Sequence, residues 1–546
     1  EQPATSNKLF PCLLPNIRSM SLLKHKRSVD DLWPVRRKRV LVRVDFNLEI
    51  NNGVIDKSKD QRIRAAIPTI RRITDQGGIC ILLSHMGRPT GHKFSVLKND
   101  DAKRRRYLNI WKDEKGAGYT VYFSLLSGEI KKKILGWSSV ATSAADLSEV
   151  QGTGKTDLFA SLSNAEKKSL LKRFQNGDHS TTLFPHLRQY DGYHDELTLM
   201  PVATRLYELL NADPSRPPVD VHFAEDCMNA NDMVASLLPG QVLLLENLRF
   251  YSDENSLIES ERMIMAQHLA KYGDYFVSDA FGTSHRRNSA TTVELPAIIG
   301  HGCCGYLLKK EIESYVDLLG DSPRPMLAIV GGAKVADKIS LLEHILRKID
   351  TLIIGGAMAY TFLKVAGYEI GNSFNESGQS FIDKYGGRRN IDELAQNFLI
   401  KAKACNVQVL LPVDHVCHTT CEATDSPLIT ETAHIPSGFM GLDIGPRTIE
   451  LYRKCISQSK SVVWNGPMGV FEIPTYATGS FSIAKEMGDG TQEGLLSIIG
   501  GGASADAARM CGHASRVCHV SSGGAASLDL LEGKVLPGID ALDDLE

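Results

Sequence analysis

Apolar residues fall into two rhythms along this chain. Short runs in which nearly every position is apolar predict strands buried on both faces of a parallel sheet: RVLVRVDFN (39–47), ICILLS (79–84), VDVHFAE (219–225), QVLLLENLRF (241–250) and YFVSDAF (275–281). Between them lie segments whose apolar residues recur every three or four positions, as on one face of a helix. DQRIRAAIPTIRRITDQ (60–76) and GYLLKKEIESYVDLLG (305–320) are the longest of these. Strands alternating with helices, with polar residues at the strand C-termini, predict an α/β fold whose ligands sit along that edge. A sharper signal lies at Leu496–Met510, LSIIGGGASADAARM. An apolar strand there meets three glycines and then helix-favouring residues. Unpaired N–H groups and the positive end of a helix dipole suit a phosphate at such a turn.

At 546 residues the chain exceeds one hydrophobic core, which predicts two or more lobes. The formal net charge of −2 gives no general attraction for nucleic acid, so an anion site has to be local. No apolar run reaches the roughly 18 residues of a membrane span. Eleven irregularly spaced cysteines predict free thiols in a reducing compartment. HVCHTTC (415–421) has no distant partner pair, and no metal site is expected there. GTGKT (152–156) has Glu149 where a P-loop needs its first glycine, and KRRR (103–106) reads as solvated surface. Residues 1–38 read as a basic N-terminal extension around LFPCLLP, more in keeping with a disordered arm than with a targeting leader.

Several stretches together resemble phosphoglycerate kinase. VRVDFN, DQRIRAAIPTI and SHMGRP (84–89) match its N-terminal motifs. LLLENLRF, DAFGTSHR (279–286), AIVGGAKVADKI (328–339), GGAMAYTFLKVAG (355–367), GLDIGP (441–446), VVWNGPMGVFE (462–472) and LEGKVLPG (531–538) follow in family order. The resemblance runs from about Lys38 to Leu542, except for a block near 93–194. In that block LNIWKD, LLSGEIKKKILGW and AEKKSLLKRF read as short amphipathic helices of an inserted subdomain. The insert is similar to that of the long-insert kinetoplastid forms, which are associated with glycosomes. A cytoplasmic or glycosomal location is expected, the insert favouring the glycosome; the chain lacks a C-terminal Ser-Lys-Leu, so any routing would have to lie elsewhere.

The resemblance implies two doubly wound parallel-sheet, Rossmann-like lobes joined by a hinge helix. A phosphoglycerate-binding lobe is expected at 39–304, a helix at 305–320, a nucleotide-binding lobe at 321–530, and a tail at 531–546 returning to the first lobe. It implies that Asp45, Asn47, Arg62, His85, Arg88, Arg249 and Arg286 bind 3-phosphoglycerate or 1,3-bisphosphoglycerate. Planar guanidinium forks suit a carboxylate and a phosphate. Lys334, Lys338, Gly441, Asn465, Glu472, Gly500, Gly501, Gly502 and Ser504 would hold ADP or ATP. Arg62, Lys338, Gly501 and Gly524 would serve the transfer itself. Lys334 and Lys338 lie four apart, one helical turn, and so can address the same phosphate region. Mg²⁺ would arrive with the nucleotide, and a monomer is expected.

The chain departs from the family at three places. Ala503 replaces the aspartate that anchors Mg²⁺, so no protein metal ligand is assigned, with Asp506 a candidate substitute through water. Ala357 and Ala525 replace glycines, a mild change unless φ is positive or a ligand comes close. The expected activity is reversible phosphoryl transfer from 1,3-bisphosphoglycerate to ADP. The alternative is a catalytically impaired relative that binds nucleotide or phosphoglycerate.

Overall fold

The structure is a computed structural model that describes residues 23, 25–32, 34–51, 54–89, 119–122, 180–184, 197–320, 322–382, 387–422 and 426–545. LNIWKD, LLSGEIKKKILGW, AEKKSLLKRF, GTGKT, KRRR and LFPCLLP lie outside the described residues. Within the 93–194 block, Tyr119–Tyr122 and Ser180–Phe184 pair as antiparallel strands.

The chain divides into two compact units. One comprises Lys26–Lys309 with Pro537–Glu546, and the other includes Lys310–Leu536. In the first, β1 (Arg39–Val44), β2 (Ile79–Leu83), β3 (Val221–Ala224), β4 (Val242–Leu245), β5 (Tyr275–Asp279) and β6 (Gly302–Cys304) form a parallel sheet in the order β6-β5-β1-β2-β4-β3. Val40, Val42, Leu82, Leu244 and Val277 lie in its buried core, as unbroken apolar runs demand. Helix α1 (Gln61–Thr74) turns Ile63, Ala66, Ile70 and Ile73 into the same core at the three- and four-residue spacing its sequence shows. The direction of winding reverses beside β1, so the loops after β1 and β5 open a crevice at the strand C-termini.

Helix α2 (Tyr306–Leu319) follows β6, and the boundary between units falls within it. Its first turn is held by Asp279, which ends β5 and accepts the N–H groups of Leu307 and Leu308 at 2.9 and 3.2 Å. Burial pushes the Asp279 carboxyl up to about 7 against the pull of its hydrogen bonds. The tail lies on this first unit, with Gly538 N–H donating to Ser284 O at 2.9 Å.

In the second unit, β7 (Met326–Val330), β8 (Thr351–Ile354), β9 (Gln408–Leu410), β10 (Ser461–Asn465), β11 (Leu496–Gly500) and β12 (His519–Val520) make a parallel sheet in the order β9-β8-β7-β10-β11-β12. This is a doubly wound order whose switch point lies between β7 and β10. Leu327, Ile329, Ile353, Val462, Trp464 and Ile499 are buried in its core.

Beside the expected parallel sheet, this unit also holds a three-stranded antiparallel sheet that the sequence reading did not name. His415–His418 lies centrally between Leu428–Ile429 and Met440–Ile444. His415 is buried there, with Nε2 3.2 Å from Ala433 O, and desolvation pushes its pKa down to about 4. Among the described residues no group of three or more His, Cys, Asp or Glu side chains could hold a metal ion. No described helix is long and apolar enough to cross a membrane.

Candidate active site

The first unit gathers cations at the C-terminal edge of its sheet. His85 follows β2 and is buried. Its pKa is driven well below the ordinary histidine value, first by desolvation, then by Arg43, Arg249, Arg286 and Arg62. Burial, with four guanidinium groups acting on the same imidazole, thus favours its neutral form. Arg249 is itself pushed down to about 10 by burial and by Arg286 and Arg43. The Arg286 Nε is buried without a hydrogen-bond partner. Positive charge in excess of its counter-charges, with an orphaned donor among it, fits an anionic ligand.

The members are fixed by short contacts. Arg62, in the first turn of α1, donates through Nη1 to Asp45 Oδ2 at 2.5 Å. Asp45 Oδ1 accepts Asn47 N–H at 3.1 Å, and Asn47 Oδ1 accepts Gly87 N–H at 2.7 Å. Arg249 Nη1 donates to Gly87 O at 2.5 Å. Asp45 and Asn47 therefore tie Arg62 to the loop after β2. Arg88 is exposed on that loop and, among the described residues, stands outside this bonded set.

Arg43 is the member that sequence reasoning missed. It lies within β1 at 2% exposure and donates through Nε to Thr291 Oγ1 at 3.0 Å, with Nη2 3.2 Å from His85 Nδ1. A charged residue inside an apolar central strand was the signal, because buried arginine needs partners.

The second unit builds its site at the switch point. Lys338 Nζ donates to both Asn465 O (3.0 Å) and Asn465 Oδ1 (2.7 Å), bridging from the loop after β7 to the end of β10. Desolvation pushes Lys338 down to about 8, with Asp337 pulling the other way. Asn465 Nδ2 is buried without a partner. The loops after β7, β8 and β10 meet backbone to backbone: Gly331 N–H donates to Asn465 O, Gly332 N–H to Pro467 O, and Gly356 N–H to Met468 O.

The expected helical pairing of Lys334 with Lys338 does not form. The helix begins only at Ile339 with Lys338 as its N-cap, and Lys334 sits exposed in the loop before it. Gly332, in the same loop, has φ +107°, outside helical geometry.

The turn at 500–502 is formed as expected: β11 ends at Gly500, Gly501 takes φ +90°, and a helix runs Gly502–Met510. A second helix starts at Gly524 beside it, where a Cβ would lie 3.6 Å from Gly502 N. Two helix N-termini thus present unpaired N–H groups side by side. Ser504 does not face this opening; it is fully buried, and its Oγ accepts Gly466 N–H at 2.5 Å.

Ala503 is exposed in the first turn of the same helix, while Asp506 is tied to Arg509 at 2.7 Å one turn further on. Ala357 has φ −66° and Ala525 lies inside the helix Gly524–Leu531, so neither departure from glycine costs backbone strain. Glu472 is exposed on the loop after β10. Gly441 lies against Tyr360, whose ring a Cβ would overlap, and donates its N–H to Ser373 Oγ at 2.9 Å.

Comparison with known proteins bears on both halves. A family model described as phosphoglycerate kinase matches residues 29–109 and 164–534. Phosphoglycerate kinase A of Trypanosoma brucei brucei is 52% identical over 533 residues, 97% of this chain and 99% of that protein. A glycosomal phosphoglycerate kinase of Trypanosoma congolense is 51% identical over 527 residues, 96% of this chain and 98% of its own. The solved phosphoglycerate kinase of Coxiella burnetii superposes with a TM-score of 0.63 at 28% identity, covering 94% of this chain and 98% of the other.

Proposed function

The chain belongs to the phosphoglycerate kinase family, and from that premise we propose how its residues divide the work of the reaction. The enzyme transfers a phosphoryl group reversibly from 1,3-bisphosphoglycerate to ADP, giving 3-phosphoglycerate and ATP. The alternative of a binding protein without turnover finds no support in its relatives.

In this reading the first unit takes the acid. Arg62, Arg249 and Arg286, with Arg43 behind them, hold its carboxylate and phosphate. His85, kept neutral by burial and by its neighbours, offers a hydrogen bond without adding charge. The second unit takes the nucleotide. The N–H groups at Gly502 and Gly524 cradle its phosphates, with Gly501 shaping the turn. Lys338 meets the phosphoryl group in transit and stabilises charge on its equatorial oxygens. The observation that carries this reading is the Lys338 ammonium, pinned by two oxygens of Asn465 at the switch point of the second sheet.

A pH profile tests it. Lys338 is cationic below about pH 8 and loses its charge as pH rises through that value. In a coupled assay, kcat/KM for the nucleotide is expected to fall on the alkaline side with an apparent pKa near 8. The limb in kcat should lie higher, because bound phosphates favour the charged lysine. A kcat/KM that stays flat to pH 9.5 would remove Lys338 from this role.

Mg²⁺ enters as part of the nucleotide substrate, neutralising its phosphates. The exposed side chain at 503, in the first turn of the 502–510 helix, sets whether the protein adds a ligand to it. Ala503→Asp is expected to lower the Mg²⁺ concentration giving half-maximal rate on the order of tenfold, the range seen when groups around a metal are altered. An unchanged Mg²⁺ dependence would show that position 503 does not reach the ion.

A further inference from the structure

Lys338 can act only if its loop is held, and the brace comes from a distant, unremarked stretch. The loop 371–379 lies after the helix Met358–Val365 and carries Glu376, which is 6% exposed. One carboxylate oxygen, Oε2, accepts two consecutive backbone N–H groups: Val335 at 2.5 Å and Ala336 at 3.2 Å. These N–H groups open the turn that delivers Lys338, whose own N–H closes on Val335 O at 3.0 Å. The helix beginning at Ile339 has no cap from its own N-cap side chain, and Glu376 supplies a carboxylate one turn upstream.

Glu376 is fixed in its turn, since its N–H donates to the fully buried Thr361 Oγ1 at 3.0 Å. The same loop reaches the strand Met440–Ile444, where Ser373 Oγ accepts Gly441 N–H at 2.9 Å. One loop therefore ties together the lysine turn and a strand that the sequence assigned to the nucleotide.

We propose that Glu376 is a positioning residue for phosphoryl transfer: its carboxylate locks the Val335–Lys338 turn so that the Lys338 ammonium stands where charge develops. The proposal rests on the assignment of Lys338 made above. A misplacement of about 1 Å in a group of this kind can cost 10²-fold in rate. Removing the acceptor leaves two N–H groups of the turn without a partner and lets it relax.

The test is a double-mutant cycle in the full chain, read as kcat and KM for both substrates. Glu376→Ala is expected to lower kcat by ~10- to 100-fold with KM for 3-phosphoglycerate changed less than about threefold. Glu376→Gln keeps an amide oxygen to accept the two N–H groups and is expected to restore most of the lost turnover. In a Lys338→Met background, Glu376→Ala should change kcat little further, because the group it positions is gone. Circular dichroism and thermal melting establish that each variant is folded.

If Lys338→Met lowers kcat but Glu376→Ala does not, or if the two losses multiply, the positioning role is overturned while the Lys338 assignment stands. If Glu376→Ala does not fold, Glu376→Gln at the activity of Lys338→Met would overturn it equally. If Lys338→Met itself turns over normally, the assignment beneath the proposal fails.

Discussion

Lys338→Met is expected to lower kcat on the order of 10²- to 10³-fold while leaving the protein folded and both KM values within a few-fold of wild type. The magnitude follows from removing one preorganised charge aimed at a transition state whose catalysis is almost wholly electrostatic. Methionine keeps the length of the stem, so packing around Cβ to Cδ is nearly preserved. One acceptor, Asn465 Oδ1, loses its donor, while Asn465 O keeps the Gly331 N–H. An unsatisfied buried acceptor costs about 1–3 kcal/mol. Against that, the same burial that pushes Lys338 down to about 8 is a penalty on its charge, and methionine does not bear it. The two terms oppose each other at similar size, so the loss should appear in kcat rather than in stability. Steady-state kinetics beside a urea unfolding curve separates them. A variant that unfolds early but turns over at the wild-type rate per folded molecule would mean that the ammonium serves structure alone.

The fold was legible where burial is complete. Strands β2 and β4 are apolar at every position, and β1, β5 and β11 at most positions, because a parallel sheet covered on both faces has no solvent side. Helix α1 was readable from Ile63, Ala66, Ile70 and Ile73, and the helix 306–319 from its own periodicity. The antiparallel strands at 415–418, 428–429 and 440–444 were not, since two to five residues cannot display a period and their pairing is long-range.

The candidate site divides along the same line. Residues at strand ends, such as His85 and Arg249, could be placed by counting from an apolar run. The helical pairing of Lys334 with Lys338 was misjudged because a four-residue spacing means one turn only inside a helix, and the helix begins at Ile339. Arg43 was hidden by its apolar neighbours, although a lone charge in a central strand is itself unusual. Glu376 carries no local signal at all. It is one acid in a polar loop, and only a contact spanning 41 residues makes it matter.

Gly466→Ala is expected to cost about 3–5 kcal/mol and most of the activity, the largest loss of stability we expect from a single methyl group in the second unit. Two effects combine. Gly466 has φ +102°, which an alanine adopts only with strain of about 1–3 kcal/mol. A Cβ there would also overlap the Gly331 carbonyl and lie 2.7 Å from Lys338 Nζ. Neither loop can retreat cheaply: Gly331 N–H is bound to Asn465 O, Gly466 N–H to Ser504 Oγ, and Trp464 Nε1 donates to Gly466 O at 2.7 Å. Gly438 supplies the control, because it has φ +87° with nothing within 4 Å of a Cβ. Gly438→Ala measures strain by itself, and the further drop in urea midpoint for Gly466→Ala measures the overlap. If the two variants melt together and Gly466→Ala keeps its turnover, then the loops after β7 and β10 are not packed tightly enough to hold Lys338, and the geometry on which its role depends is wrong.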